Sequence, residues 1–177
     1  MSEHPLITLT IPYYNHPNFL KKQLETWNNY TDFIKENVEI ILVDDGSTIP
    51  IMKLKDLPEF PKNLKIYRIL QDIFWNVKGA RNLGAYVATG KWVLFHDFDH
   101  WMDNENFEKL IRMKKDEKTI YRFQRKREGE FVKNHRETHM ITRKGFIEDI
   151  GGHDEDFVGT YGGGYKFYYY IDRKSVG

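Results

Sequence analysis

The sequence predicts an α/β fold with a mostly parallel central sheet, flanking helices and a small antiparallel β element in the second half. Short apolar runs that favour strands alternate with helical patterns, and two of these runs are followed within two residues by acidic residues. Alternating strands and helices favour parallel pairing through right-handed crossovers. Sheets of this kind bind ligands beyond the carboxyl ends of their strands, so functional residues are expected at that edge.

The first strand is predicted at residues 6–11 and ends at Pro12, because proline fixes φ and donates no backbone hydrogen bond. A helix is expected from Pro17 onward, where apolar residues recur at helical spacing. Residues 38–43 are nearly all apolar, which is typical of a strand buried on both faces. This second strand leads directly into Asp44-Asp45-Gly46-Ser47.

Further elements follow the same alternation. Strands are predicted at residues 64–70 and 91–95, and a helix of small residues at 77–88 lies between them. One more helix is expected around Phe107, Leu110 and Ile111. The rest of the chain is predicted to hold strands at 119–124, 130–133 and 138–143, a solvated charged hairpin within 122–136, and a helical segment at 144–150.

Composition excludes several classes of function. The 177 residues suit one domain, and 27 Lys and Arg residues against 26 Asp and Glu residues give no net field that would attract nucleic acid. The chain has no cysteine, so any metal must bind to oxygen or imidazole. No window approaches the roughly 20 apolar residues of a membrane span, and no signal peptide is recognised. A cytoplasmic protein without a membrane span is expected, and no feature specifies an oligomeric state.

Two carboxylates follow the strand predicted at 91–95. Residues i and i+2 of an extended chain point to the same side, so the side chains of Asp97 and Asp99 should converge. Two such charges at close range repel each other unless a cation lies between them or water screens them. The pattern predicts a divalent metal site, and the alternative is a solvated surface turn.

Five short segments occur in a characteristic order: ITLTIPYYN at 7–15, ILVDDGS at 41–47, GARNLG at 79–84, DFD at 97–99 and GGHDE at 151–155. Together they resemble the ordered motifs of family 2 glycosyltransferases, which have the Rossmann-like GT-A fold. The resemblance covers most of the chain. It implies a single GT-A domain at 1–177 from a minimal or truncated member, with a nucleotide-binding half at 1–100 and an acceptor-side half at 101–177.

The resemblance implies a site for the nucleobase of a UDP-sugar. The carboxylate of Asp44 or Asp45 would accept a hydrogen bond from the ring N–H of uracil, and Pro12, Tyr13 or Tyr14 would flank the base. The alternative is that the acidic segment is only a turn, with Asp and Gly in their favoured places.

The resemblance also implies a site for the donor's diphosphate. Arg81 and Asn82 stand near the start of the helix predicted at 77–88, where a cation and backbone N–H groups would face the phosphates. Lys78 would assist them. The alternative for these residues is a solvated first turn.

For the metal, the resemblance implies that Asp99 binds Mn²⁺ or Mg²⁺ while Asp97 contacts the ribose or a metal-bound water. A hard divalent cation would neutralise the charge that develops on the departing UDP. The third ligand would be His100, His139 or His153. Of these, His153 is preferred because it replaces the usual aromatic residue of the GGHDE segment.

The chain departs from the family pattern near its C-terminus. The Glu-Asp pair that usually supplies the catalytic base is replaced by Gly164 and Tyr165, and a tyrosine with a pKa of about 10 is a poor base at neutral pH. Three explanations stay open. One of Asp154, Glu155 and Asp156 takes over, the motif aligns differently, or the protein binds a nucleotide sugar without transferring it efficiently.

The sequence therefore predicts a metal-dependent, inverting glycosyltransferase that moves a sugar from a UDP-sugar to a hydroxyl of a saccharide or another acceptor. The alternative is a non-catalytic domain that binds a nucleotide sugar or a glycan. A nucleotidyltransferase is disfavoured, because Pro12-Tyr13-Tyr14 stands where its Gly-rich phosphate loop would follow the first strand. The aromatic run at 166–171 is interpreted as a core helix or as a platform for the acceptor.

Overall fold

The computed structural model describes residues 5–132 and 138–159. The features predicted at Gly164-Tyr165 and at 166–171 lie outside these residues, as does the end of the strand predicted at 130–133. No helix within the described part of the chain is long and apolar enough to cross a bilayer.

Among the described residues the central sheet has six strands, and its first four in chain order are mutually parallel. The strands are β1 (Ile7–Tyr13), β2 (Val38–Asp45), β3 (Leu64–Ile69), β4 (Trp92–Phe95), β5 (Tyr121–Arg122) and β8 (His139–Thr142), in the spatial order β3-β2-β1-β4-β8-β5. β8 runs antiparallel to both of its neighbours. A separate exposed hairpin pairs β6 (Lys126–Arg127) with β7 (Glu130–Phe131).

Within residues 5–132 and 138–159, four α-helices pack on the sheet or on one another. They are α1 (Pro17–Asn28), α2 (Asp32–Asn37), α3 (Val77–Val87) and α4 (Asn104–Arg112). A π-helical segment at Gly145–Ile150 and a 3₁₀ turn at Glu155–Phe157 follow β8. The predicted fold class, a mostly parallel sheet with flanking helices and a small antiparallel sheet, is confirmed.

Three elements differ from expectation. The first strand does not stop at Pro12: it continues to Tyr13, since both residues still pair with β2, and Pro12 lies beyond the last residue of β1 that pairs with β4. Helix α2 was not predicted, because six residues are too few to show a helical pattern of apolar residues. The feature that marks its start is an N-cap, in which the Thr31 hydroxyl accepts a hydrogen bond from Ile34 N. The strand predicted at 119–124 shortens to Tyr121–Arg122, since only these residues pair with β8. The strand predicted at 138–143 is confirmed as β8.

Apolar side chains cover both faces of the sheet. Leu9, Leu42 and Leu94 form a core with Trp27 of α1 and Phe107 of α4 on one face. Each such buried side chain contributes about 1.5–3 kcal/mol relative to an exposed one. A smaller cluster on the other face joins β2, β4 and β8 to α3 and the π-helical segment. Burial on both faces explains why the strand sequences are nearly all apolar.

Close packing of α3 against β1 fixes the position of the helix at the carboxyl end of the sheet. A Cβ atom on Gly84 would lie 1.9 Å from Thr10 Oγ1, so no larger residue fits there without a shift. Gly84 belongs to the same segment as Arg81 and Asn82, one turn away. The glycine thereby sets how closely these two polar residues approach the strand ends.

Candidate functional site

Three neighbouring strands deliver their polar ends to one edge of the sheet. Tyr13, at the end of β1, is paired in register with Asp44 of β2. On the other side of β1, Thr10 is paired with Phe95, which precedes the acidic segment after β4. The predicted tyrosine, Asp-Asp and Asp-x-Asp segments therefore share this edge.

The two aspartates that end β2 have different environments. Asp44 is 1% exposed, and its carboxylate accepts hydrogen bonds from Ser47 N at 3.0 Å and Arg68 Nη1 at 2.6 Å. Arg68 also donates to the Ser47 carbonyl oxygen at 2.7 Å. The turn interpretation therefore applies to Asp44, whose carboxylate holds the backbone after β2.

Asp45 accepts one hydrogen bond, from Asn76 Nδ2 at 2.8 Å. Burial raises the pKa of its carboxyl group to about 6, although the Asn76 amide lowers it, and the charges of Asp44 and Asp72 raise it further. The carboxylate is thus costly to ionise and keeps acceptor capacity for a donor group on a ligand.

The residues predicted to flank a base also divide by burial. Pro12 is buried within β1, and Tyr13 is buried with its ring edge-on to Phe98 at a centroid distance of 5.1 Å. Tyr14 is 46% exposed and donates from its hydroxyl to Asp72 Oδ2 at 3.1 Å. This hydrogen bond to Asp72 is the main reason that the pKa of Tyr14 is raised, and the charge of Asp45 raises it by a smaller amount. Tyr14 is therefore the ring that remains accessible beside Asp45.

The turn after β4 brings two carboxylates and an imidazole together. Asp97, Asp99 and His100 each offer one ligand atom, and these atoms all lie within 4.8 Å of one another. His100 Nε2 lies 3.7 Å from Asp99 Oδ1, and His100 Nδ1 lies 3.8 Å from Asp97 Oδ2. Carboxylate oxygens with an imidazole suit a divalent ion such as Mn²⁺. These side chains therefore fit a metal site.

Helix α1 holds this turn in place. Gln23 is buried on α1, and its Nε2 donates to the carbonyl oxygens of Phe98 at 2.8 Å and His100 at 2.6 Å. Both acceptors lie in the backbone that carries the three candidate ligands. The fixed backbone limits the reorganisation that binding a cation would require.

Arg81 supplies a positive charge at the same place. Its Nη2 lies 2.5 Å from Asp97 Oδ1, and its side chain is buried on α3. Arg81 therefore compensates one of the two carboxylates, while the side chain of Asp99 remains 60% exposed. Arg81, which the sequence placed only at the donor's diphosphate, thus also contacts the Asp-x-Asp segment directly.

His153, the sequence's preferred third ligand, is not part of the group formed by Asp97, Asp99 and His100. Its buried ring lies edge-on to Phe95 and Phe146, at centroid distances of 5.4 and 5.2 Å. Burial and the nearby charge of Arg81 hold the pKa of His153 well below its ordinary value. His139 stacks on Phe95 from another side, at 4.8 Å. Among the described residues, His100 is the histidine that joins the two carboxylates.

Asn82 connects α3 to the GGHDE segment. Its Nδ2 donates to the His153 carbonyl oxygen at 2.8 Å and to Glu155 Oε1 at 2.7 Å, and its Oδ1 accepts from His153 N at 2.8 Å. Gly152 has φ 82° there, and a Cβ atom on this glycine would lie 3.0 Å from Asn82 Oδ1. Asn82 therefore fixes the conformation of this segment.

The three candidate bases lie just beyond that contact. Asp154, Glu155 and Asp156 are exposed, and Asp154 Oδ1 accepts from Asp156 N at 3.0 Å, which caps the 3₁₀ turn. Only Glu155 is tied to α3, through Asn82. Lys78 lies on the same helix with its ammonium 4.5 Å from the centre of the Phe157 ring.

Sequence reasoning missed two arginines that contact this edge. Arg68 of β3 binds Asp44, and Arg125 donates from Nη1 to His100 Nε2. On the other side of the imidazole, Thr138 Oγ1 lies 3.3 Å from His100 Nδ1. These contacts join segments that are 24–38 residues apart in the chain. No local sequence motif indicates such pairs.

Comparison with known proteins gives a family. The family model for glycosyl transferase family 2 matches residues 8–170. Over 107 residues the chain is 33% identical to glycosyltransferase GlyA of Streptococcus pneumoniae serotype 4, a match that covers 60% of this chain and 14% of GlyA. For each of three further curated relatives, the matched part covers at most 41% of the relative's own length.

Solved structures share the fold. TarS residues 1–349 from S. aureus superpose with a TM-score of 0.63 at 17% identity, over 93% of this chain and 54% of that one. TarS has also been solved with UDP-GlcNAc. The mannosyltransferase PcManGT from Pyrobaculum calidifontis, solved with GDP-Man and Mn²⁺, gives a TM-score of 0.61 at 17% identity, over 88% of this chain and 49% of that one.

Proposed function

This chain belongs to glycosyl transferase family 2, and from that premise we propose that it transfers a sugar from a UDP-sugar to an acceptor hydroxyl, with a divalent cation and with inversion at the anomeric carbon. The observation that carries the proposal is the meeting of Asp45, Arg81 and the Asp97-Asp99-His100 group at one edge of the sheet. Residues 1–100 would bind the donor, and residues 101–177 would face the acceptor.

Asp45 would recognise the uracil. Its carboxylate would accept from the ring N–H, while Tyr14 would lie beside the base and Asp44 would keep the turn closed. The TarS complex with UDP-GlcNAc supports a uridine donor, whereas PcManGT was solved with a guanosine donor. The role is assigned to Asp45 rather than to Asp44 because the carboxylate of Asp44 already accepts hydrogen bonds from Ser47 and Arg68.

Asp97, Asp99 and His100 would hold the cation, and Mn²⁺ suits this mixture of oxygen and imidazole donors better than Mg²⁺ does. When bound, the cation would supply Lewis-acid stabilisation of the diphosphate leaving group. Arg81 would contribute a second positive charge at the phosphates while it orients Asp97.

Glu155 would be the general base that accepts the proton of the acceptor hydroxyl. Asn82 orients its carboxylate, and Asn82 follows directly after the arginine that contacts Asp97. A base that a third group orients is the arrangement expected of an activated acceptor site. The other two candidates, Asp154 and Asp156, have no such link to α3 among the described residues.

The base is tested with Glu155→Gln, whose side-chain oxygen still accepts from Asn82 but cannot take a proton. We expect kcat to fall by about 10²–10⁴-fold with little change in the KM for the donor, because general-base catalysis is worth that much. Asp154→Asn and Asp156→Asn are matched controls on the same turn. A larger loss of kcat in either control than in Glu155→Gln would move the role to that residue.

The function itself is tested by calorimetric titration of UDP and a panel of UDP-sugars with and without Mn²⁺, followed by an assay for released UDP in the same samples. We expect binding that needs Mn²⁺ and release of UDP from one donor. Asp99→Ala should lose the Mn²⁺-dependent part of the binding. Absence of binding for every UDP-sugar, with or without Mn²⁺, would contradict the proposal.

A second candidate function is a domain that binds nucleotide sugars without transferring them. The observation that favours it is the Gly164-Tyr165 pair in place of the usual Glu-Asp. This function predicts Mn²⁺-dependent binding of UDP with neither transfer nor hydrolysis of the donor. The same two assays separate the candidates.

A further inference from the structure

Arg125 makes a contact that the proposed reaction does not use. It lies between β5 and β6, half-buried, with the exposed residues Gln124 and Lys126 on either side. Its Nη1 is within hydrogen-bond distance of His100 Nε2. The guanidinium thus reaches one of the three side chains that fit a metal site.

The chemistry of this contact assigns the protons on His100. A guanidinium only donates, so His100 Nε2 must present its lone pair to Arg125. The imidazole proton then lies on Nδ1, where Thr138 Oγ1 is 3.3 Å away and can accept it. A nitrogen that carries a proton cannot bind a metal. Nε2 is therefore the only nitrogen of His100 able to ligate in this arrangement.

Nε2 is also the nitrogen closest to the second carboxylate, at 3.7 Å from Asp99 Oδ1. A cation shared by Asp99 and His100 would need the same lone pair that receives the Arg125 hydrogen bond. One lone pair cannot serve both, and a guanidinium beside a dication is repelled. Binding of the cation and the Arg125–His100 contact therefore exclude each other.

We propose that Arg125 competes with the divalent cation for His100 and is released toward the donor's diphosphate when the cation binds. This inference rests on the proposed function. A released guanidinium loses its imidazole partner, and the diphosphate offers it a charge-assisted, bidentate replacement. The cation should therefore bind weakly by itself and more tightly in the presence of UDP. Arg125 acts here as a positioning residue that couples the two ligands.

The two arginines of the site differ in how easily they could move. Arg81 is buried on α3 and paired with Asp97 at 2.5 Å, so its displacement would leave charges uncompensated. Arg125 lies in a short connection next to the exposed β6–β7 hairpin, and its partner is a neutral imidazole. Release of Arg125 therefore costs less than release of Arg81.

The test measures Mn²⁺ affinity by electron paramagnetic resonance, with and without UDP, in the wild type and in Arg125→Ala. We expect Arg125→Ala to bind Mn²⁺ about tenfold more tightly without UDP, and the enhancement by UDP to shrink by a similar factor. Arg125→Met, which keeps most of the aliphatic stem, should behave in the same way. Arg127→Ala is the matched control, because it removes an exposed charge from β6 nearby.

A double-mutant cycle with His100→Ala shows whether the effect passes through the imidazole. His100→Ala should weaken Mn²⁺ binding, and Arg125→Ala should give no tighter binding in that background. The inference is overturned if the wild type binds Mn²⁺ and UDP while Arg125→Ala shows unchanged or weaker Mn²⁺ affinity, a result that leaves the proposed function intact. A wild type that binds UDP-sugars but no Mn²⁺ overturns the inference together with the metal dependence.

Discussion

At the scale of single residues, Asp45 gives the site a dependence on pH. Burial raises the pKa of Asp45 to about 6 from an ordinary value near 3.8. Between these two pH values, the folded protein keeps a proton on Asp45 that the unfolded chain has already released. This group's contribution to stability therefore falls as the pH rises through that window and is constant above it. Donor binding has the opposite sign, because the ionised carboxylate accepts from the uracil N–H more strongly than the protonated group does.

We expect the affinity for a UDP-sugar to fall by up to tenfold per pH unit as the pH drops below about 6. A UDP-sugar is preferred to UDP as the probe, because its diphosphate has no terminal phosphate that titrates in this range. Asp45→Asn should flatten the profile, since its amide oxygen accepts at every pH. Calorimetric titration between pH 5 and pH 8 measures the affinity of the wild type and of Asp45→Asn. Parallel profiles for the two proteins would rule out Asp45 as the titrating group.

Local spacing made some of these residues predictable. Asp97 and Asp99 could be found because two acidic residues close together follow an apolar strand, and a local turn rather than an extended chain brings their side chains together. The partners Arg68 and Arg125 could not, since their contacts depend on how strands and loops from different parts of the chain are placed. The choice between His100 and His153 likewise depends on which face of the sheet each ring occupies.

At the scale of elements, α3 and the GGHDE segment are held together by Asn82. Asn82→Ala removes three hydrogen bonds and leaves the backbone N–H of His153 without its partner. We expect unfolding to become easier by about 1–3 kcal/mol. If Asn82 acts only through Glu155, kcat falls while the Kd of the UDP-sugar stays constant.

The measurements for Asn82→Ala are chemical denaturation, steady-state kinetics and donor titration. Leu83→Ala, a neighbouring half-buried change on α3, serves as the control for general loosening of the helix. A large rise in the Kd of the donor for Asn82→Ala alone would support the role that the sequence predicted for Asn82, which is contact with the diphosphate.

The elements show where sequence patterns suffice. β2 and β4 were predictable because strands buried on both faces have nearly unbroken apolar runs, and β1 was predictable because isoleucine, leucine and threonine, most of them β-branched, follow one another from Ile7 to Ile11. α2 was not, because six residues are too few for a helical period and one Thr31 cap carries the signal. The pairing of β8 with β4 was not predictable either, since it depends on the tertiary fold that an antiparallel strand joins a parallel sheet at this position.

At the scale of the whole molecule, ligand binding at the sheet edge should stabilise the entire fold. β2, which carries Asp45, and β4, which leads into Asp97, are inner strands of the sheet, so the site forms only when that sheet does. A ligand that binds only the folded state adds about 2.7 kcal/mol to the free energy of unfolding at 100 times its Kd. We therefore expect UDP with Mn²⁺ to raise the Tm by several degrees.

Asp99→Ala separates this effect from the stability of the fold itself. The side chain of Asp99 is 60% exposed, so its removal should change the Tm without ligands little, while the shift caused by UDP with Mn²⁺ should be lost. Glu25→Ala removes an exposed carboxylate on α1 and should keep the full shift. Thermal unfolding with and without ligands measures all three proteins. A shift that still depends on Mn²⁺ in Asp99→Ala would mean that Asp99 is not needed to hold the cation.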